Sequence, residues 1–127
     1  MANKPIVYCY SGCGTCKKAL AWLDERGIDY VLKPIRETPP AKSHLRKALA
    51  QLGTSRRLLN TSSGDYKELG LKDELATMKP GELVELLASR GNLIKRPFVI
   101  LPQGYLVGFR PADYEEAFGW DGNGPSS

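Results

Sequence analysis

The stretch PIVYCYSGCGTCKKALAWLDER, residues 5–26, carries the signals from which the fold is predicted. Its first part, residues 5–10, is a run of β-branched and aromatic residues, which is typical of a strand. Glycines interrupt this run, and apolar side chains then recur at three- and four-residue spacing, which predicts a helix over residues 15–26. Gly27 follows as a helix stop. The stretch therefore predicts a strand that turns directly into a helix.

The rest of the chain predicts one sheet covered by helices. Three further strands are expected, at residues 29–35, 97–101 and 105–109. Three further helices are expected, at residues 41–52, 79–90 and 111–118. Gly91 should end the second of these helices, Gln103 and Gly104 should form a hairpin turn, and residues 54–71 should mix short helical pieces with turns. The order β-α-β, a helical middle and β-β-α predicts a thioredoxin-like fold of the α/β class, with a mixed four-stranded sheet and a helical insertion at about residues 37–91.

Length and composition indicate a single globular domain. The chain has 127 residues, of which 42% are hydrophobic and 25% charged, and these values are ordinary for a globular protein. We expect one domain over residues 1–118 and a disordered tail over residues 119–127, because that tail is rich in glycine, proline and serine. No apolar run is long enough to span a membrane, and the N-terminus has no signal-peptide pattern, so a cytoplasmic location is expected.

The charge balance is only mildly basic, with 18 Lys and Arg against 14 Asp and Glu. An excess of this size suits an anionic substrate, an acidic protein surface or nucleic acid, and does not choose among them. Because no basic stripe with interleaved aromatic residues is present, direct nucleic-acid binding is not expected. His44 is the single histidine, which argues against a catalytic triad and against a metal site built from several histidines.

Cys9, Cys13 and Cys16 are the three cysteines, and they lie within one short stretch. A secreted disulfide scaffold would spread an even number of cysteines along the chain, so this cluster indicates redox or metal chemistry. A cysteine at a helix N-terminus is expected to have a lowered pKa, because the free amides and the helix dipole favour the thiolate. We therefore predict that Cys13 attacks, and that Cys16, nearly one helical turn later, resolves the mixed disulfide.

Other interpretations of the cysteines remain open at this point. Cys13 and Cys16 could be a pair of buried structural thiols. Cys9 lies within a predicted strand, where a cysteine is usually a small buried apolar residue. The spacing C-x₃-C-x₂-C occurs in iron–sulfur enzymes that need a much larger barrel, and a zinc site would have only His44 as a fourth nitrogen or sulfur ligand. No metal site is therefore predicted.

Two arginines are candidate anion-binding residues. In a thioredoxin-like fold the proline before the third strand is cis and lies beside the redox cysteines, which predicts a cis bond at Pro97 and an Arg96 side chain directed toward Cys13. Arg110 follows the last predicted strand. Two guanidinium groups would lower the pKa of a nearby thiol and bind an oxyanion or carboxylate. The alternative is that both are solvated surface arginines.

Four blocks of the sequence, in this order, resemble the ArsC/Spx family, the thioredoxin-fold group of glutaredoxin-coupled arsenate reductases and Spx/MgsR transcription regulators. The blocks are CGTCKKALAWLDERGIDY (13–30), LLNTSSGDYKELGLKDEL (58–75), LIKRPFVI (93–100) and LVGFRPADYEEAF (106–118). The resemblance implies Cys13 as nucleophile and Arg96 and Arg110 as anion-binding residues. The backbone at Gly14 and Thr15, in the same motif, is expected to help bind the oxyanion.

The chain departs from the pattern of glutathione-coupled arsenate reductases at two positions. Cys16 stands where those enzymes usually have another residue, and Asn60 stands where they use a third arginine. Arg56 and Arg57 lie close by but off the motif. The arsenate pocket is therefore expected to be incomplete, whereas the pair of Cys13 and Cys16 resembles the redox switch of Spx and its relatives.

Two functions of different class follow. The first is a thiol–disulfide oxidoreductase resembling arsenate reductase, in which Cys13 attacks a disulfide or an oxyanion, Cys16 resolves, and thioredoxin, glutaredoxin or glutathione restores the dithiol without a bound cofactor. The alternative is a regulator that binds RNA polymerase through its α subunit and uses the same pair as a redox sensor. Arsenate reduction proper is a third and weaker expectation.

Overall fold

The computed structural model describes residues 4–10, 12–75 and 77–118. Its strands are β1 (Ile6–Cys9), β2 (Val31–Pro34), β3 (Phe98–Leu101) and β4 (Gly104–Val107). Its helices are α1 (Gly14–Glu25), α2 (Lys42–Leu52), α3 (Gly64–Glu68), α4 (Leu71–Glu74), α5 (Pro80–Ser89) and α6 (Pro111–Phe118). Two 3₁₀ turns lie at Ser55–Arg57 and Gly91–Leu93. The predicted disordered tail, residues 119–127, lies outside the described residues.

The four strands form one sheet in the order β2-β1-β3-β4. β1 pairs with β2 in parallel, and the β1–β3 and β3–β4 pairs are antiparallel. The parallel pair requires a crossover, which α1 supplies, and the tight β3–β4 connection gives a hairpin. The predicted mixed four-stranded sheet is confirmed. Because β2 is an edge strand, its Pro34 removes no hydrogen bond that the sheet needs.

The sheet separates two buried clusters, because successive side chains of a strand point to opposite faces. Val7 and Cys9 of β1 belong to a cluster with α1 and α6 that includes Trp22 and Tyr114. Tyr8 belongs to a larger cluster on the other face, formed mainly with α2, α5 and the chain between them. The end of β1 and the start of α1 therefore meet on the face that α1 and α6 cover.

Several predicted boundaries shift by one or two residues, and the hairpin turn was predicted wrongly. Gly104 pairs with Leu101 and begins β4, so the turn lies at Pro102 and Gln103. The pairing of Gly104 with Leu101 places this glycine in the strand, although the Gln-Gly dipeptide by itself favours a turn. The segment 54–71 contains a 3₁₀ turn and a short helix, in agreement with its mixed pattern.

Gly91 has a different role from the predicted one. Arg90 forms the C-cap of α5, and Gly91 is the buried first residue of the following 3₁₀ turn. A Cβ built on Gly91 would overlap the backbone carbonyl oxygen of Ile35. The glycine is therefore required by the close approach of this turn to the chain that follows β2, and not by the end of a helix.

Candidate redox site at the start of the first helix

Cys13 is the N-cap residue of α1 and has an extended backbone. Its Sγ accepts a hydrogen bond from the Cys16 backbone N–H at 3.4 Å. Its own backbone N–H donates to the Tyr10 carbonyl oxygen at 3.0 Å, which closes the turn between β1 and α1. The sulfur of Cys13 thus takes the capping position that Ser or Asp usually fills, at the positive end of the helix dipole.

The surroundings of Cys13 leave it accessible. The side chain is half-buried, while the next two residues, Gly14 and Thr15, are exposed at the start of α1. A Cβ placed on Gly14 would have nothing within 4 Å among the described residues. The helix N-terminus beside Cys13 is therefore open to a reacting partner.

Cys16 lies behind Cys13 and is 2% exposed. Its pKa is lowered to about 6, first by a side-chain hydrogen bond with Cys9, then by a backbone hydrogen bond from Tyr10 and a side-chain hydrogen bond with Cys13. Burial acts in the opposite direction, and the positive charge of Arg96 contributes to the lowering. The lowered pKa at Cys16 was not predicted from sequence. It means that the thiolate form of Cys16 prevails at neutral pH.

Cys9 is the last residue of β1, is 7% exposed and belongs to the cluster between the sheet and α1. Its predicted burial is observed. The hydrogen bond with Cys16 and burial raise the pKa of Cys9, so it stays a thiol next to the Cys16 thiolate. Cys16 therefore lies between two other cysteines: it shares a buried cluster with Cys9, and its backbone N–H donates to the sulfur of Cys13.

Arg96 lies two residues before the start of β3. The Arg96–Pro97 peptide bond is cis. The Arg96 guanidinium carbon lies 5.0 Å from the ring centroid of Tyr10, and its charge lowers the pKa of both Cys9 and Cys16. Its Nη1 atom is buried and has no hydrogen-bond partner within residues 4–10, 12–75 and 77–118. A buried guanidinium N–H without a partner is suited to binding an anion.

Arg36 was not predicted from the sequence as a site residue. It follows β2 closely, and its guanidinium carbon lies 4.9 Å from the centroid of the same Tyr10 ring. Residues after the carboxyl ends of neighbouring parallel strands meet at one edge of a sheet, and β1 and β2 are such a pair. That rule could have placed Arg36 beside Tyr10. We call Tyr10, Arg36 and Arg96 the arginine–tyrosine stack.

Arg110, unlike Arg96, is exposed, and it contacts a carboxylate. Its side chain is 67% exposed, and its Nε lies 4.0 Å from Oδ2 of Asp113. The same carboxylate oxygen lies 3.8 Å from Nη2 of Arg57. We call Arg57, Arg110 and Asp113 the Asp113 cluster. The contact that the structure gives Arg110 is with the first turn of α6, and its binding of substrate stays a prediction.

Asn60 holds a loop together. Its backbone N–H donates to the Leu93 carbonyl oxygen at 2.8 Å, and its Nδ2 donates to the Asn92 carbonyl oxygen at 3.3 Å. Its Oδ1 accepts from the Ser62 N–H at 3.3 Å. The side chain that stands at the third-arginine position is thus occupied by backbone contacts.

A cavity of about 280 Å³ opens between α1 and the edge strand β2. Both Cys9 and Cys16 contribute to its wall, together with Leu20, Leu32 and Pro34. In the part of the chain that the structure describes, no group of three or more His, Cys, Asp and Glu side chains is arranged to hold a metal ion. No helix within the described ranges is both long and apolar enough to cross a membrane.

Comparison with known proteins decides the family. Residues 8–117 match the profile of the ArsC family. The chain belongs to the ArsC family. It is 42% identical to the uncharacterized protein YusI of Bacillus subtilis over 110 residues, which cover 86% of this chain and 93% of YusI. It is 33% identical over 99 residues to an arsenate reductase of Escherichia coli, covering 77% of this chain and 69% of that enzyme.

Solved structures agree with the ArsC assignment. A possible arsenate reductase from Streptococcus mutans superimposes with a TM-score of 0.83 at 38% identity, covering 90% of this chain and 98% of the other. The predicted thioredoxin-like α/β fold is thereby confirmed, as is the resemblance on which the family prediction rested. Membership in the ArsC family supports a function of the thiol oxidoreductase type.

Proposed function

We propose that this ArsC-family protein is a cytoplasmic thiol–disulfide oxidoreductase in which Cys13 is the nucleophile and Cys16 the resolving thiol. The observation that carries the proposal is the position of the Cys13 sulfur at the N-cap of α1, where it accepts the Cys16 N–H and faces an open surface. Backbone dipoles at this position stabilise the negative charge that develops on sulfur during exchange.

The reaction runs by two thiol–disulfide exchanges. In the first, the Cys13 thiolate attacks one sulfur of the substrate disulfide, a Cys13–substrate bond forms, and the other substrate half leaves as a thiolate that takes up a proton. In the second, the Cys16 thiolate attacks the Cys13 sulfur and expels the bound half as a thiol. The product is a Cys13–Cys16 disulfide, and the substrate has gained two electrons.

Regeneration needs an external thiol. We propose that glutathione, or a dithiol protein such as glutaredoxin or thioredoxin, supplies the two electrons that reopen the Cys13–Cys16 bond. The lowered pKa of Cys16 favours this step, because a thiol of low pKa is a good leaving group. No bound cofactor takes part in this cycle.

The arginine–tyrosine stack supports a preference for anionic substrates. Arg96 carries a buried N–H that has no hydrogen-bond partner among the residues that the structure describes, and Arg36 adds a second positive charge across Tyr10. A carboxylate of glutathione or of an acidic peptide would be bound there through charge-assisted hydrogen bonds. The predicted contribution of Gly14 and Thr15 is to present backbone amides to such an anion at the start of α1.

Arsenate reduction and gene regulation are the other candidate activities. Relatives described as arsenate reductases favour the first, whereas the backbone contacts of Asn60 at the third-arginine position oppose it. The second is a redox-sensing regulator that resembles Spx and MgsR and binds the RNA polymerase α subunit. Its motivation is the Cys13–Cys16 pair itself, which would act as the sensor.

Turnover of a peptide–glutathione mixed disulfide tests the proposal, followed as NADPH consumption coupled to glutathione reductase. Wild-type protein should turn over, and Cys13→Ser should fall to the uncatalysed background because its nucleophile is lost. Cys16→Ser is the matched control, since it makes the same chemical change while keeping Cys13, and it should accumulate a mixed disulfide. Full turnover by Cys13→Ser would exclude the proposal.

A pull-down of the polymerase α subunit, with and without a thiol oxidant, separates the regulator from the enzyme. Redox-dependent capture together with an absence of turnover would favour the regulator. Arsenate-dependent NADPH consumption through a glutaredoxin system tests the arsenate activity in the same way.

A further inference from the structure

Cys9 is a thiol that the proposed exchange cycle does not use, yet it lies against the sulfur at the centre of that cycle. It ends β1, and Cys16 lies in the first turn of α1, on the face of the sheet that α1 covers. Cys9 and Cys16 belong to the same buried cluster and each shifts the pKa of the other, while the Cys16 backbone N–H donates to the Cys13 sulfur at 3.4 Å. Cys16 therefore has two neighbouring cysteines as possible disulfide partners.

Small molecules can approach Cys9 and Cys16 through a cavity that does not include Cys13. Both residues line the cavity between α1 and β2, whose apolar rim includes Leu32 at 53% exposure. Cys13 does not line this cavity. A thiol oxidant of small size could thus reach Cys9 and Cys16 without passing the helix N-terminus.

We propose that Cys9 is a third redox thiol, which displaces Cys13 from the Cys13–Cys16 disulfide and forms a Cys9–Cys16 disulfide in its place. In the exchange, the Cys9 thiolate attacks the Cys16 sulfur of the Cys13–Cys16 disulfide. The bond to Cys13 breaks, Cys13 leaves as a thiolate, and it can take up the proton that Cys9 released. One disulfide replaces another, so no oxidant or reductant is consumed. This step rests on the proposed function, because that function forms the first disulfide.

Oxidation itself prepares Cys9 for this attack. In the reduced protein, the hydrogen bond with Cys16 and the negative charges of Cys16 and Cys13 raise the pKa of Cys9. These causes disappear once Cys13 and Cys16 share a disulfide, because neither sulfur is then ionised. Burial still raises the pKa, and the Arg96 charge still lowers it. Cys9 is consequently easier to ionise after the first bond has formed than before it.

The consequence is an oxidised protein with a free, accessible Cys13. In that state Cys13 can form a mixed disulfide with a second molecule such as glutathione, while Cys16 is held by Cys9. The chain would then carry two disulfide bonds instead of one, an internal bond and a bond to the second molecule. The attack requires the sulfurs of Cys9 and Cys16 to approach each other to about 2.05 Å, the length of a disulfide bond.

Thiol counting in the Cys13→Ser variant tests the new bond directly. Diamide, which takes up two electrons and two protons from a pair of thiols, is added, and free thiols are counted under denaturing conditions. We expect both remaining thiols to be lost from a monomer, with peptide mapping linking Cys9 to Cys16. Retention of both thiols, or their loss through a cross-linked dimer, would overturn the proposal.

The Cys9→Ala/Cys13→Ser double variant is the matched control and should keep its single thiol. Because Cys13→Ser is inactive under the proposed function, this thiol count does not depend on turnover. An absence of wild-type turnover would therefore contradict the proposed function, while two retained thiols in Cys13→Ser would contradict only the Cys9–Cys16 bond.

Oxidised glutathione gives a second readout on the intact chain. Mass spectrometry of wild-type protein should find a product with a Cys9–Cys16 disulfide and one glutathione on Cys13. Cys9→Ala should stop at the Cys13–Cys16 disulfide without glutathione. Identical products from the two proteins would overturn the proposal, and should Cys9→Ala fail to fold, the Cys13→Ser thiol count decides.

Discussion

The arginine–tyrosine stack and the Asp113 cluster each hold two arginines, but within the described residues only those of the Asp113 cluster contact a carboxylate. Arg96 and Arg36 lie over the ring of Tyr10, and the buried Nη1 of Arg96 has no partner within the described ranges. Arg57 and Arg110 instead share Asp113. From this difference we expect an arginine at a family motif position to bind substrate only where its charge is still available.

Arg96→Gln should produce the largest effect on this comparison. Loss of a charge-assisted hydrogen bond costs about 1.5–3 kcal/mol, which is roughly 10–100-fold in kcat/KM. We expect that loss with oxidised glutathione, which carries carboxylates, and a smaller loss with the uncharged bis(2-hydroxyethyl) disulfide. Both are measured as NADPH consumption with thioredoxin as reductant. Equal losses for the two substrates would mean that Arg96 does not recognise the anion.

The matched control is Arg110→Gln, which makes the same change in the Asp113 cluster. It should lower kcat/KM for oxidised glutathione by less than about threefold, because its charge is already paired and exposed. A loss equal to that of Arg96→Gln would reverse the comparison and support the prediction, made from the family resemblance, that Arg110 binds substrate.

The pH dependence of thiolate formation should differ sharply between wild type and Cys16→Ser. Cys16 is an acid with a pKa lowered to about 6, so its thiolate appears as pH rises through about 6, whereas an ordinary cysteine ionises near about 8.5. Ultraviolet absorbance of the thiolate should show this early step in wild type and lose it in Cys16→Ser. Arg96→Gln should move the step to higher pH, since it removes a charge that lowers the pKa of Cys16.

Cys13→Ser supplies the control for the pH experiment and should keep the early step. If Cys13→Ser lost the early step and Cys16→Ser kept it, the acidic thiol would be Cys13 and not Cys16.

Arg36→Gln should have a smaller effect than Arg96→Gln. Arg36 is exposed and contacts the site through Tyr10, and an exposed cation–π contact contributes about 0.5–1 kcal/mol. We expect a roughly two- to fivefold rise in KM for oxidised glutathione with little change in kcat. Tyr10→Leu should raise KM at least as much, because it removes the ring that both Arg36 and Arg96 contact. An unchanged KM in both variants would remove Arg36 from the site.

Asp113→Asn should have the smallest effect. The ion pairs of Asp113 are partly exposed and at the limit of ion-pair distance, so their loss should change the free energy of unfolding by less than about 1 kcal/mol. Urea denaturation measures this change. If kcat/KM for oxidised glutathione instead rose by more than about threefold, release of Arg57 or Arg110 would have created a second anion site.

The fold and the cysteine turn were predictable because their signals are local. The strand, the glycine-containing turn and the helix lie within residues 5–26, and the spacing of Cys13 and Cys16 at a helix start determines their relation. The role of Gly91 was not predictable, since it depends on the Ile35 carbonyl oxygen, far away in sequence.

The rest of the site depends on contacts between distant parts of the chain or on side-chain direction. Arg36 reaches Tyr10 only because β1 and β2 are parallel neighbours. The contact of Cys9 with Cys16 follows from the face on which the end of β1 points, which a one-residue shift of the strand would reverse. Arg110 was predicted from a block that contains Asp113 three residues later, but the block does not show that the same carboxylate also contacts Arg57.

Trapping the mixed disulfide in Cys16→Ser tests the central claim most directly. The variant is incubated with oxidised glutathione, digested and mapped by mass spectrometry. With the resolving thiol absent, we expect glutathione attached to Cys13 and a reduced Cys9. Glutathione found on Cys9, or a Cys13 that remains unmodified while the protein is folded, would contradict it.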